Sequence, residues 1–329
     1  MKRRTILAAS GLATASLALP ALALAQGTTT WPNRPITVLV PFVAGGPSDI
    51  VARIMAQRFS EALPQPVVAE NRPGANGEVA SRLLARAAPD GHTLMVGSIG
   101  VFAINAALRP NLGYNPLTDF DPVTLAVSTP NVLVVNAEKM PVKTTAELVA
   151  WLKANPGKAS YSTSGVGSSD HLTAELFKQM TGTDAVHVPY AGGSAAATDL
   201  IAGNVQFSFQ NLGTVAAHIA GGRLRALMVT DRQRAEILPD VPTSAEAGLS
   251  DFVVTSWQAM MAPAGMPPDI RKKLNDTAVA SLRHADSQAR LKQIGFTVIA
   301  SNAEDFRNFQ RQEIARWKQV VQAGNIRAE

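Results

Sequence analysis

The chain has 329 residues, 46% hydrophobic and 17% charged, with a formal net charge of +5 and no cysteine. The missing cysteine excludes disulfides, thiolate metal sites and attachment of a lipid through an N-terminal Cys. Lys2, Arg3 and Arg4 supply +3 and residues 1–25 hold no Asp or Glu, so the remainder carries 5 − 3 = +2; no basic block or aromatic–basic interleaving points to nucleic acid.

The chain begins with that basic cap, and Ile6 to Leu24 follows as an uncharged Ala/Leu-rich run. Ala23-Leu24-Ala25 then offers an A-x-A cleavage site before Gln26. This pattern predicts a secretory signal peptide over residues 1–25 and a soluble periplasmic product. Gly11 and Pro20 break the run, which argues against a membrane anchor. Arg3-Arg4 leaves Sec and Tat export undecided.

Strands and helices then alternate. Ile36–Val40 reads as a strand, and Ile50, Val51, Ile54, Met55, Phe59 and Ala62 recur at helical spacing after it, with Ser48 or Asp49 suited to the N-cap. Val67–Glu70 and Thr93–Gly97 read as strands on either side of a helix that ends near Ala88. Val132–Asn136 opens a second series, with strands at Ala159–Ser164, Ala185–Pro189, Val205–Phe209 and Leu224–Thr230. Its helices fall at about Thr145–Asn155, Ser169–Met180, Ser194–Ala202 and Thr214–Ala220. Helices at Pro268–His284, Ala285–Ile294 and Ala303–Ala323 complete the chain. Such alternation predicts an α/β protein with mostly parallel sheets. The segments Thr124–Asn131 and Phe252–Trp257 are expected to cross between two domains and back. The domains would be residues 26–128 plus 253–329, and 129–252, with two crossings forming a hinge.

Two glycine-rich turns stand where a strand gives way to a helix. The first offers Phe42, Val43, Ala44, Gly45, Gly46, Ser48 and Asp49; the second offers Ser164, Gly165, Val166, Gly167, Ser168 and His171. Each aims free backbone N–H groups and a positive helix end at one point, as an anion site requires. Ser98 and Asn211 stand at strand ends, where α/β sheets gather ligands. Several assignments have two readings. Asp49 caps its helix, or also positions ligand or water. His171 packs in its helix or faces the cleft. Trp257 packs near the hinge or forms the cleft wall. Tyr190 packs in the second domain or touches ligand. Arg72 braces its turn or binds ligand, the former favoured.

Several phrases resemble the solute-binding proteins of tripartite tricarboxylate transporters, the Bug or TctC family. They include Trp31-Pro32, Pro41-Phe42 with Gly45-Gly46 and Asp49, Glu70-Asn71-Arg72-Pro73-Gly74-Ala75 and Pro89-Asp90-Gly91. Ser164-Gly165 with Gly167-Ser168 and His171, His187-Val188-Pro189-Tyr190, Leu238-Pro239-Asp240-Val241-Pro242-Thr243 and Thr255-Ser256-Trp257 continue the series. The resemblance implies a two-domain, type II-like periplasmic-binding-protein (Venus flytrap) fold that closes on a small carboxylate and delivers it to a membrane permease. It implies no catalysis and no cofactor; the five dispersed histidines show no metal spacing such as H-x-x-x-H, and a monomer is expected. The ligand could be a di- or tricarboxylate, an acidic amino acid or an aromatic carboxylate. Pro47 and Gln210 depart from the family, which usually has a hydroxyl residue and an acid there. Ser168 and His171 do not form the G-x-S-x-G pattern of a hydrolase. A sensor using the same ligand trap is the other reading.

Overall fold

The computed structural model describes residues 31–328, so the expected signal and its cleavage site lie outside the described residues. The first half comprises β1 (Ile36–Val40), α1 (Pro47–Ala62), β2 (Val67–Asn71), α2 (Glu78–Ala85) and β3 (Thr93–Ser98). A π-type turn at Gly100–Ile104 then runs into α3 (Asn105–Leu108). The long strand β4 (Phe120–Asn136) leads to α4 (Thr145–Ala154), β5 (Ser160–Thr163), α5 (Ser169–Thr181), β6 (Val186–Pro189) and α6 (Gly193–Ala202). Then come β7 (Phe207–Asn211), α7 (Leu212–Ala220), β8 (Leu224–Val229) and β9 (Thr255–Pro263). The chain ends with α8 (Pro268–Arg283), α9 (Ala285–Gln293), β10 (Thr297–Val298) and α10 (Ala303–Ala323).

Alternation along the strands explains the layers. Ile36, Val38 and Val40 of β1 pack with α1 and α8 on one face, while Leu39 joins Met95, Phe102, Trp257 and Trp317 on the other. In β4, Leu133 and Val135 pack with Phe177, Phe207 and Phe209, while Val132 and Val134 face α6 and α7. Both faces are covered by helices, which is why these strands read as continuous apolar runs.

The strand order is β2-β1-β3-β9-β4-β7-β5-β6, with β8 and β10 also paired to β4. The flanks are parallel, as expected: β1 with β2 and β3, and β5 with β6 and β7. The centre corrects the expectation of mostly parallel sheets, because β4 pairs antiparallel with β7, β8, β9 and β10, and β9 pairs antiparallel with β3. The reason is that the chain crosses the molecule in both directions, and the two crossings pair with each other. The segment 124–131 is therefore the middle of one strand rather than a connection. Pro122 and Pro130 disguise it, since proline lowers any strand reading. Pro122 sits at a register shift, where a bulge tolerates it, and Pro130 at the last pair with β9.

This is a two-domain mixed α/β fold. The crossings are joined by Thr230: its Oγ1 donates to Val254 O at 2.5 Å and accepts from Asn131 N at 3.1 Å. Because β1, β2 and β3 run parallel, the segments after them start on one sheet edge. The same holds for β5, β6 and β7, whose following helices α5, α6 and α7 all begin at one edge.

Candidate functional site

The first turn is built around Gly45 and Asp49. Gly45 has φ +83°, a left-handed conformation that glycine adopts without strain. The N-cap of α1 is Gly46, in extended backbone, followed by Pro47 at N1; neither Ser48 nor Asp49 is the cap. Pro47 suits N1 because that N–H has no helical partner in any case. Asp49 instead reaches back and accepts from Gly45 N at 2.9 Å, Arg53 Nε at 2.9 Å and Asn71 Nδ2 at 2.9 Å. Burial pushes its carboxyl up, but the hydrogen bonds from Arg53, Gly45 and Asn71 outweigh that and hold it below the ordinary carboxylate value. Asp49 thus shapes the turn. The first helical bond is Ile50 N to Gly46 O at 3.0 Å, so the N–H groups of Ser48 and Asp49 lie free of the helix. Phe42 is half-buried, Val43, Ala44 and Gly45 are exposed, and Ser48 is buried.

The second turn repeats this design with a deeper acid. Ser168 is the N-cap of α5, its Oγ accepting from His171 N at 3.3 Å and donating to Gly165 O at 2.6 Å. Asp170 accepts from Ser164 N at 2.5 Å, from Ser164 Oγ and, at 3.2 Å, from Gln210 Nε2. Asp170 is 1% exposed, and that burial pushes its carboxyl above the ordinary value. Gln210 is accordingly a donor to this acid rather than a free group in the cleft.

His171 Nδ1 accepts from Gly167 N at 3.2 Å, and its ring stacks on His187 at 4.1 Å between centroids. His187 in turn stacks on Tyr161 at 5.0 Å and shares a 2.7 Å bond with Thr163 Oγ1. Burial lowers the two imidazoles to about 3 for His171 and about 4 for His187, so both are neutral. His171 is 4% exposed and supports the loop from beneath. Its ring acceptor is taken by Gly167, so it does not touch Ser168 as a base would. Gly165 N also has a partner, Thr163 Oγ1 at 3.3 Å. The half-buried Val166 packs against the core cluster of Leu172 and Trp257.

Both turns meet the opposite half of the sheet. A Cβ built on Gly192 would lie 3.7 Å from Val43 Cγ2, so the first turn abuts the start of α6. A Cβ on Gly100 would lie 3.1 Å from Gly167 O, and one on Gly167 would lie 2.9 Å from Asn76 Nδ2. Asn76 and Asn105 are themselves clasped, Asn76 Nδ2 donating to Asn105 Oδ1 at 3.1 Å. Gly167 also has φ +82°. Replacing Gly167 by Ala is expected to cost about 1–2 kcal/mol from the left-handed backbone alone. Because Asn76 and Asn105 stand across the cleft, the added methyl opposes the closed arrangement further. Calorimetry should show ligand affinity down by about tenfold, with the unliganded melting temperature lower by only a few degrees.

Asn211 is the N-cap residue of α7, its Nδ2 donating to Asn131 Oδ1 at 2.5 Å and Ser169 Oγ at 3.1 Å. Ser98 ends β3, half-buried, opposite Gln258 of β9. Ser48 Oγ donates to Gln258 Oε1 at 2.8 Å. Trp257 is a correction: it is 1% exposed, stacks on Phe102, and its Nε1 donates to Glu313 at 3.0 Å. Its neighbours in the strand alternate faces, and the face it takes is the α10 core rather than the cleft wall. Tyr190 turns its hydroxyl to Asp199 of α6. Arg72 pairs with Glu70. Sequence reasoning missed Asp170, Gln258, the Asn76–Asn105 clasp and a third glycine turn. The last had a signal: Ala191-Gly192-Gly193-Ser194 follows a strand and opens a helix as Gly45-Gly46 does. Among the described residues no group of three or more His, Cys, Asp or Glu could hold a metal ion, and no helix is long and apolar enough to cross a membrane.

Residues 51–326 match the tripartite tricarboxylate transporter family receptor. The chain is 36% identical over 324 residues to Protein BugT of Bordetella pertussis, covering 98% of each chain. It is similar to R. palustris Rpa4515 with adipate, at TM-score 0.86 and 36% identity over 90% of this chain and 99% of that one. It is also similar to MatC (Rpa3494) from Rhodopseudomonas palustris with bound malate, at TM-score 0.83 and 33% identity over 88% of this chain and 100% of that one. With the ordered turns, the two-way crossing and these matches along the same path, the chain belongs to the tripartite tricarboxylate transporter receptor family.

Proposed function

We propose that this chain is a periplasmic receptor that captures a small carboxylate between its lobes and hands it to a membrane permease. Residues 1–25 are removed on export; residues 26–128 plus 253–329 form one lobe and 129–252 the other. The ligand carboxylate sits at the N-terminus of α1, facing the starts of α5 and α6. The observation that carries this reading is the free N–H pair of Ser48 and Asp49 at a helix start that abuts the opposite lobe through Val43 and Gly192. Adipate and malate in the two similar structures agree with a carboxylate of this size.

A micromolar receptor needs roughly −8 kcal/mol. Hydrogen bonds to a charged group contribute about 1.5–3 kcal/mol each, and a helix end at most about 2 kcal/mol. After the ordering costs of binding, one turn falls short, and contacts from both lobes make up the difference. Binding energy is then tied to closure, which gives the permease a liganded form to recognise. Ser168 and His171, the pair a hydrolase would set against each other, each bond the backbone of their own turn, which supports a binding role.

Titration calorimetry with adipate, malate, glutamate, nicotinate and glucose tests this. At least one acid should bind in the micromolar range or tighter, and glucose should not bind. A Cβ on Gly46 would lie 3.7 Å from Val43 O, an ordinary contact, so Gly46→Val is expected to crowd the anion position at about 1 kcal/mol of lost N-cap preference. Equal affinity in wild type and Gly46→Val, or binding of glucose alone, would overturn the assignment. Loss of uptake of the bound acid in a deletion strain would establish delivery to a permease rather than to a signalling partner.

A further inference from the structure

Gln258 lies on β9 and is 1% exposed. It pairs across the sheet with Ser98, the last residue of β3, and with Val127 of β4. Met260 and Ala262, at period two from it, face the α1 side of the sheet with Leu94 and Val96. The Gln258 side chain therefore tops that core layer, directly beneath the first turn. Its Oε1 is held by Ser48 Oγ at 2.8 Å, which places the amide beside the start of α1. Its Nε2 is buried and has no hydrogen-bond partner. A buried amide nitrogen left without an acceptor is disfavoured unless something else supplies one. Carboxamide nitrogens only donate, so the group it awaits is an acceptor.

We propose that Gln258 is a specificity-determining residue of the ligand site, which presents its Nε2 hydrogens to a carboxylate oxygen held at the α1 end and so favours ionised acids over amines or amides. The inference rests on the carboxylate reading above. The two N–H groups of Ser48 and Asp49, the half-buried Ser98 and Gln258 Nε2 form one donor-rich end. Ser48 has a double role: its N–H faces the anion, while its hydroxyl fixes which end of the Gln258 amide is turned away. Asp49 does not oppose this, because its carboxylate is already enclosed by Gly45, Arg53 and Asn71.

The test uses Gln258→Met, which keeps the volume, and Gln258→Glu, which keeps the shape but replaces the donor with an acceptor. Adipate and malate are the probes, with calorimetry at pH 7.5 and pH 5.5 and thermal unfolding without ligand. Gln258→Met is expected to weaken the acid that wild type binds by about tenfold, with little change in unliganded melting. Gln258→Glu should weaken it further at pH 7.5 and recover toward Gln258→Met at pH 5.5, where a buried glutamate takes up a proton and becomes a donor. A purely structural role would not give that pH-dependent recovery. Either variant binding the acid as tightly as wild type at pH 7.5 overturns the role of Gln258 and leaves the carboxylate reading standing. Wild type binding neither probe nor any other acid of the panel overturns both.

Discussion

Asp170→Ala is expected to destabilise the protein by about 2–4 kcal/mol. Asp170 is 1% exposed, and it accepts from Ser164 N, Ser164 Oγ and Gln210 Nε2. Deleting the acid takes the acceptor from the half-buried Ser164 N–H and hydroxyl and leaves the buried Gln210 Nε2 with Ser208 Oγ alone, and each such loss costs up to about 1–3 kcal/mol. Water does not easily reach the Gln210 end of the gap, since Gln210 is itself 1% exposed. Asp49→Ala removes a similar set of bonds but is expected to cost less, since Arg53 beside it is half-exposed and can turn to solvent. Asp170→Asn should lie between wild type and Ala. It keeps one carbonyl acceptor for Ser164, and burial already disfavours the charge that it removes. Urea unfolding of the three variants measures the order. If Asp170→Ala unfolds within 1 kcal/mol of wild type, the acid does not hold the turn together.

That contrast also shows why the two turns were unequally legible in the sequence. Both are visible as glycines after a strand, and the helices behind them fall close to where periodicity puts them. Ala303–Ala323 is placed end to end, because its N-cap Asn302 and the apolar spacing of Phe306, Ile314, Trp317 and Val321 are local signals. The role of Asp170 is not local. In sequence it is one more acid in the first turn of a helix, and only the arrival of Gln210 from β7 seals it in. Gln258 reads as an ordinary strand residue in Trp257-Gln258-Ala259-Met260, and its partner Ser48 is 210 positions away. The strand β4 was hidden by two prolines that the fold accommodates at a bulge and at a change of partner. Trp257 stood equally well for cleft or core, and strand alternation against α10 decides it. Hydrophobic period thus reveals layers and turns, whereas the polar bonds that complete the site depend on which strands meet.

The stacked imidazoles give the second large prediction. His171 and His187 titrate near 6.5 when unfolded, but burial lowers them to about 3 and about 4 in the folded chain. Between those limits the unfolded chain binds protons that the folded chain does not. Stability is then fully present above about pH 6.5 and is lost as pH falls toward 4. Two such groups give a slope of at most about 2.7 kcal/mol per pH unit, twice the value for one proton. The groups facing the pair sharpen the expectation. Lys178, over the Tyr161 ring, disfavours a second positive charge, and Glu175 beside it partly offsets this at His187. Asp170 acts in the opposite sense, because its raised carboxyl takes up a proton in the folded chain first, and this flattens the curve at its acid end. Urea unfolding at pH 7.5, 6.5, 5.5 and 4.5 should show the loss in wild type and a much shallower one in His171→Gln/His187→Gln. Gln at position 171 can still accept from Gly167 N, so the double variant separates proton uptake from loss of the turn. Protonating His171 turns its Nδ1 from acceptor into donor and breaks the Gly167 bond. The folded ring takes up that proton only near pH 3, so ligand affinity in wild type should stay level down to the pH at which the chain unfolds. Wild-type stability that is level from pH 7.5 to 4.5 would mean that the two rings do not stay neutral in the folded chain.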